Sequence, residues 1–306
     1  MIVIPGSNSL GLALKIAKEL GVKTARASLK KFPDGETYVR IDDNLENEDS
    51  VIIQNTYPTQ NDSIIEVALL ADAARNAGAR NITAVIPYVA YSRQNKIFQK
   101  GESIGLDVII KLLKSSGISK LITVDAHFYR RVGSLKIDGL EIVNLSGARL
   151  LLDYVEKTAG KDLFVIGPDL GSSEMIEYAT GILTVMNKEK ICPNCSASTT
   201  DCKCGGSLKE YSVSEFASDI GFKGKDVVIM DDMIVSGSTI IKAAEKIKSE
   251  GAKSVSAVAT HGLFLGDSLN ILKRMTNMLV VTDSIPTDVS YVSIAGLIAD
   301  AVKQYK

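Results

Sequence analysis

The residues best suited to chemistry lie in the stretch 227–248, which reads VVIMDDMIVSGSTIIKAAEKIK. Residues 227–230 have the composition of a buried strand, Asp231 and Asp232 follow, and a turn of small residues comes next. After it Ile240, Ile241, Ala243, Ala244 and Ile247 recur at helical spacing. A strand feeding such a turn and helix offers backbone N–H groups and the positive end of a helix dipole to an anion, above all a phosphate. Val235 opens the turn, Ser236, Ser238 and Thr239 add hydroxyl donors, and Gly237 lets the backbone come close. The two carboxylates repel a phosphate, so they suit the hydroxyls of a sugar beside it, or a bound cation. Each half of the pattern also has an ordinary use, the acids ending a strand and Ser236 or Ser238 capping a helix. Together they point to a sugar phosphate.

Four further loops follow predicted strands. Phe32-Pro33-Asp34-Gly35-Glu36 joins an aromatic ring to two carboxylates and a turn glycine. In 88–96, Arg93 and Lys96 suit phosphates and Gln94 suits a base edge, although a solvated charged loop would look the same. Asp125-Ala126-His127 puts an acid and a histidine on one side of an emerging strand, which fits a metal or phosphate contact. Asp169, in Gly167-Pro168-Asp169-Leu170-Gly171-Ser172-Ser173, suits a hard cation or a sugar hydroxyl, or simply opens a helix. The only other histidine, His261, is assigned a structural role.

The elements that must position these loops repeat. Residues 51–55 are a strand entering a polar turn; Ile64, Ile65, Ala68 and Leu69 open a helix that ends at Gly78; and GARNITAV at 78–85 supplies the next strand. The order strand, turn, helix, strand recurs from residue 227 to GAKSVSAV at 251–258, and the two GA[RK]xxxAV segments align without a gap. We read an internal duplication of a parallel α/β unit. Further short strands at 2–4, 82–86, 121–124, 164–166 and 279–281 alternate with helical stretches at 10–20, 106–115, 148–157 and 294–305. In such sheets ligands bind beyond the carboxyl ends of the strands. The expected division is a first domain at 1–145, with the C-terminal helix, 292–306, as a candidate addition to it, and a second at 146–291.

A chain of 306 residues has material for two cores. Its net charge of −1 and 23% charged residues include no basic stripe, which argues against a nucleic-acid partner. No apolar run approaches a membrane span, and the start, MIVIPGSNS, has no leader-like pattern, so a cytoplasmic protein is expected. GxxxxGK[ST] and a GxGxxG following a strand are both missing, so any ATP must be held by other means.

FPDGE, YSRQ, VDAH, GPDLGS, NKEK at 187–190 and DDMIVSGSTI, in this order, resemble the ribose-phosphate pyrophosphokinases. The likeness spans nearly the whole chain apart from 192–206. It implies two tandem phosphoribosyltransferase-type domains and transfer of the β,γ-diphosphoryl group of ATP to the anomeric hydroxyl of ribose 5-phosphate. It further implies ATP contacts from Phe32, Asp34, Gly35, Glu36, Arg93 and Gln94, with the loop at 32–36 reaching a neighbouring subunit of a homo-oligomer. Mg2+ would be held by His127 and Asp169, with Asp125 as an additional ligand. Lys190, Asp231, Asp232 and residues 235–239 would hold ribose 5-phosphate, and Lys188 and Lys190 would form the cationic pair of a catalytic loop.

Three departures stand out. Lys190 replaces the usual arginine and loses its bidentate fork. Val235 replaces a common aspartate, so Asp231 and Asp232 must carry more of the ribose binding. Residues 191–207 are an insertion holding every cysteine, Cys192, Cys195, Cys202 and Cys204, in C-P-x-C and C-x-C-G-G turns that resemble two zinc knuckles. A structural Zn2+ is expected there rather than disulfides. The rival readings are a phosphoribosyltransferase and a non-catalytic synthetase-associated subunit, and AMP release that depends on ribose 5-phosphate separates both from the kinase.

Overall fold

The structure is a computed structural model and describes residues 1–181, 189–191, 210–212 and 221–305. It forms two compact units, one of residues 1–147, 260–263 and 282–306, the other of 148–259 and 264–281.

In chain order the first unit holds β1 (Ile2–Pro5), α1 (Leu10–Leu20), β2 (Ala27–Lys31), β3 (Thr37–Ile41), β4 (Asp49–Ile53), α2 (Gln60–Asn76), β5 (Asn81–Val85), α3 (Gly105–Ser115), β6 (Lys120–Val124), β7 (Gly133–Ile137) and β8 (Leu140–Leu145). The chain continues with α4 (Ala148–Ala159), β9 (Leu163–Ile166), α5 (Ser173–Thr180), β10 (Glu189–Ile191), β11 (Glu210–Ser212), β12 (Asp226–Ile234), α6 (Ser238–Ser249), β13 (Ser254–Gly262), α7 (Ser268–Met275) and β14 (Met278–Thr282). Then β15 (Ser290–Val292) and α8 (Ala295–Gln304) return to the first unit.

The first unit's sheet runs β1-β4-β5-β6-β8-β7, parallel except for the last pair. Strands such as β4 and β6 are buried along nearly their whole length, as expected when helices cover both faces. Helix α1 turns Leu12, Ala13, Ile16 and Ala17 inward, and each large aliphatic side chain so buried contributes roughly 1.5–3 kcal/mol. Lys303 of α8 donates to Glu19 O at 3.2 Å, and Lys120 Nζ lies 5.6 Å from the Tyr305 ring centroid, which fastens the C-terminal helix to this unit.

The second unit orders its strands β14-β13-β12-β9. Read from the first strand of each copy, β1-β4-β5-β6 and β9-β12-β13-β14 are the same arrangement. The likeness extends to side chains. Arg80, two residues past Gly78, pairs with Asp49 at the start of β4 at 2.7 Å, and Lys253, two past Gly251, pairs with Asp226 at the start of β12 at 2.6 Å. Each copy also carries an antiparallel two-stranded ribbon between its first and second sheet strands, β2–β3 in one and β10–β11 in the other. Among the described residues no helix is long and apolar enough to cross a membrane.

Candidate functional site

The sugar-phosphate pattern is built at the carboxyl ends of β9 and β12. These strands pair in parallel with Val165 beside Val228 and Ile166 beside Ile229, so the residues that follow emerge at one edge. Strand β12 runs farther than its apolar run predicts. Asp231 and Asp232 lie inside it, half-buried, and it ends at Ile234 because Met233 and Ile234 are themselves buried. The backbone N–H of Asp232 donates to Asp231 Oδ1 at 3.0 Å. Asp169, past β9, accepts from the N–H of Gly171 at 2.7 Å. Burial, the neighbouring Asp232 and Asp169 together push the Asp231 carboxyl well above the usual carboxylate range. A crowd of acids of this kind favours a cation or hydroxyl donors in its midst.

The turn after β12 is clamped from beneath. Phe264 N–H donates to Ile234 O at 3.2 Å and Leu265 N–H to Val235 O at 2.8 Å. Gly237, rather than Ser236 or Ser238, occupies the capping position of α6, with φ 70° and no side-chain cap. A Cβ there would stand 2.9 Å from Leu272 Cδ1, so both the backbone shape and the space demand glycine. The hydroxyls of Ser236 and Ser238 are exposed and 3.1 Å apart at the start of α6, and the N–H of Ser238 donates to Ser236 Oγ at 3.5 Å.

In the first unit, Phe32, Asp34, Gly35 and Glu36 form the tip of the β2–β3 hairpin, an element whose short strands, with no fully buried residue, escape a search for apolar runs. Phe32 N–H donates to Glu36 O at 2.8 Å, Glu36 N–H to Asp34 Oδ1 at 3.1 Å, and Gly35 takes φ 96°. All four residues are exposed, and Phe32 rests edge-on against Tyr38 at 5.6 Å. Arg93 and Gln94 lie in the loop after β5, whose base is pinned where Thr56 bonds Tyr88 O and the N–H of Ala90. Gln94 turns its amide inward, donating at 3.2 Å to both Lys96 O and Glu102. The N–H groups of Gln99 and Phe98 hold the Glu102 carboxyl below its ordinary range.

His127 follows β6 and is half-buried. Asp125, expected beside it as an additional metal ligand, accepts at Oδ2 from the N–H of Gly147 at 2.8 Å and from the Thr260 hydroxyl. Asn144 went unnoticed in the sequence, yet it accepts from Ala126 N–H at 2.9 Å and donates to Tyr129 O and Arg131 O at 2.8 and 2.9 Å. The available signal was an amide side chain among Ile142, Val143 and Leu145 near the end of β8. His261 is buried and bonded at both ring nitrogens, in the structural role expected of it.

Among the described residues no group of three or more His, Cys, Asp or Glu is placed to hold a metal. His127 belongs to the first unit and Asp169 to the second. Lys188 and Cys192, Cys195, Cys202 and Cys204 lie outside the described residues, and Lys190 is placed only as the middle of β10, opposite Tyr211.

A doubled α/β unit whose second copy carries paired acids inside a strand, ahead of a glycine-opened helix, defines a protein shaped for a phosphorylated sugar. Residues 1–117 match the N-terminal domain of ribose phosphate pyrophosphokinase, and 209–304 match the phosphoribosyl synthetase-associated domain. Ribose-phosphate pyrophosphokinase 1 of Archaeoglobus fulgidus is 33% identical over 99% of both chains. The Vibrio vulnificus ribose-phosphate pyrophosphokinase is 32% identical over 99% of this chain and 95% of its own. The crystal structure of phosphoribosylpyrophosphate synthetase from Mycobacterium smegmatis superposes with a TM-score of 0.80 at 25% identity, covering 99% and 98% of the two chains. This chain belongs to the ribose-phosphate pyrophosphokinase family.

Proposed function

We infer that the protein transfers the β,γ-diphosphoryl group of ATP to ribose 5-phosphate, giving phosphoribosyl pyrophosphate and AMP. The anomeric oxygen bonds to the β-phosphorus, the bond from that phosphorus to the α,β-bridging oxygen breaks, and the hydroxyl proton is lost. The observation that carries this reading is the acid pair of β12 set against the glycine-opened start of α6. Asp231 and Asp232 hold the ribose hydroxyls, and Val235, Ser236, Gly237, Ser238 and Thr239 surround the 5-phosphate, with N–H and hydroxyl donors meeting its charge.

ATP is held by Phe32, Asp34, Gly35, Glu36, Arg93 and Gln94, the last after turning its amide out of its own loop. The full exposure of the hairpin tip supports its use by a second copy of the chain. Mg2+ is taken by His127 and Asp169, a small ligand set suited to an ion that keeps most of its water, and when bound it neutralises phosphate charge. Asp125 adds a further carboxylate to this site. Lys188 and Lys190 offset charge that develops on the transferring and leaving oxygens. Cys192, Cys195, Cys202 and Cys204 close a structural Zn2+ site, in a cytoplasmic setting that keeps thiols reduced.

The test is AMP release from ATP by the purified protein with Mg2+. Release only when ribose 5-phosphate is present supports the reading. No release under any condition favours the regulatory subunit, and consumption of phosphoribosyl pyrophosphate with a nitrogenous base favours the phosphoribosyltransferase.

A further inference from the structure

The loop that carries His127 has an uncommon backbone. Asp125 takes φ 43°, a left-handed shape that non-glycine residues seldom adopt and that lasts only where neighbouring bonds hold it. Its N–H donates to Leu145 O at 2.8 Å, and its Oδ2 receives the N–H of Gly147 and the hydroxyl of Thr260. One residue earlier, Val124 O lies 2.9 Å from His261 Nε2. A carbonyl only accepts, so Nε2 carries a hydrogen and donates it. The His261 ring is further held by Ser284 Oγ, 2.9 Å from Nδ1, and by Tyr88, packed edge-on at 5.3 Å.

This layer also receives the points at which the chain passes between its two units. Gly147 and Thr260 bond to Asp125, Leu263 O accepts from the Tyr57 hydroxyl at 3.0 Å, and the Thr282 hydroxyl donates to Thr260 O at 2.7 Å. Thr260 and His261 are 0% and 2% exposed, too enclosed to touch substrate themselves. What they do touch is the backbone and side chain immediately before His127.

We propose that Thr260 and His261 are positioning residues for the metal and ATP half of the reaction, holding residues 124 and 125 in the one shape that aims His127. The proposal rests on the reading of His127 as a magnesium-binding residue. Because every bond in the layer belongs to the first unit, their loss should spare the sugar-phosphate turn around Gly237.

Thr260→Val keeps the side chain's size and removes its donor, whereas Thr260→Ser keeps the donor. His261→Leu removes the donor to Val124 O, and His261→Gln retains an N–H near the same place. Calorimetric titration with Mg·ATP should show Thr260→Val and His261→Leu binding roughly tenfold more weakly, a typical loss for one buried hydrogen bond. The KM for Mg·ATP should rise in step, while affinity and KM for ribose 5-phosphate stay within about twofold of the parent. Thr260→Ser and His261→Gln should recover most of the loss.

Parental Mg·ATP affinity in a folded Thr260→Val or His261→Leu protein overturns the proposal. So does an equal loss of both substrates accompanied by a lowered melting temperature, which would mark a general structural role. If the two donor-removing variants do not fold, Thr260→Ala, which removes the donor without adding an apolar methyl against Asp125, decides by the same split between the substrates. Absence of AMP release by the unaltered protein would sink the proposed activity instead, and the binding measurement tells the two failures apart.

Discussion

Asp231 ends the buried run of β12 with its carboxyl close to those of Asp232 and Asp169, and its ionisation is correspondingly disfavoured. Its pKa in the folded chain lies above its unfolded value, so its contribution to stability is fully present below about pH 4, the ordinary aspartate pKa, and fades as pH rises through the raised value. In buffer without Mg2+ and substrate, Asp231→Asn should therefore melt at a higher temperature than the parent at neutral pH, with the gap closing towards acid. Calorimetric melting curves that stay parallel across the pH range would refute this. The same variant should lose ribose 5-phosphate binding, which is the usual exchange of stability for function at an active site. Gly237→Ala should cost roughly 1–3 kcal/mol, because alanine is strained at positive φ and its methyl would press on Leu272. Chemical denaturation measures that cost. Lys188→Ala should leave ATP binding nearly intact and cut turnover by about two or more orders of magnitude, comparable with removing one preorganised charge from a transition state; an unchanged turnover would remove Lys188 from the chemistry.

At the scale of elements, the two antiparallel ribbons occupy equivalent places in the two copies, and each carries residues of the proposed reaction. The β2–β3 ribbon presents FPDGE and the β10–β11 ribbon begins beside Lys188. A parallel sheet alone holds ligands at its carboxyl edge, and each copy inserts its ribbon directly after its first strand. The cysteine insertion lies between the strands of the second ribbon. Replacing Cys192 and Cys195 with Ser should abolish bound zinc, read by atomic absorption, and change turnover while ribose 5-phosphate affinity is unaltered. Unchanged turnover in a folded, zinc-free protein would leave the insertion without a part in catalysis.

At the scale of the whole molecule, the proposal that a second copy of the chain completes ATP binding through the exposed acidic hairpin tip is open to a direct test. Mixing a protein inactivated by Asp34→Ala and Glu36→Ala with one inactivated by Lys188→Ala should restore part of the activity, because some mixed pairs contain one intact site. No recovery after subunit exchange would place the hairpin's role within its own chain.

Much of this architecture was legible in the chain itself. Hydrophobic period and punctuation located β1, β4, β6, β9, α1 and α3 to within a residue or two, since strands buried on both faces need continuous apolar runs and helices need one apolar stripe. The repeated GA[RK]xxxAV segment announced the duplication, and the acid pair with its small-residue turn announced a phosphorylated sugar. The hairpin β2–β3 and the strands β7 and β15 were not legible, because short and partly exposed strands are stabilised by partners rather than by their own pattern. The grouping of residues 260–263 with the first unit was equally hidden, as was the engagement of Asp125 by Gly147 and Thr260. A linear sequence records which groups a chain possesses and how often apolar residues recur. Only tertiary folding decides which distant donor meets a given carboxylate, because that pairing depends on where strands separated by more than a hundred residues come to lie.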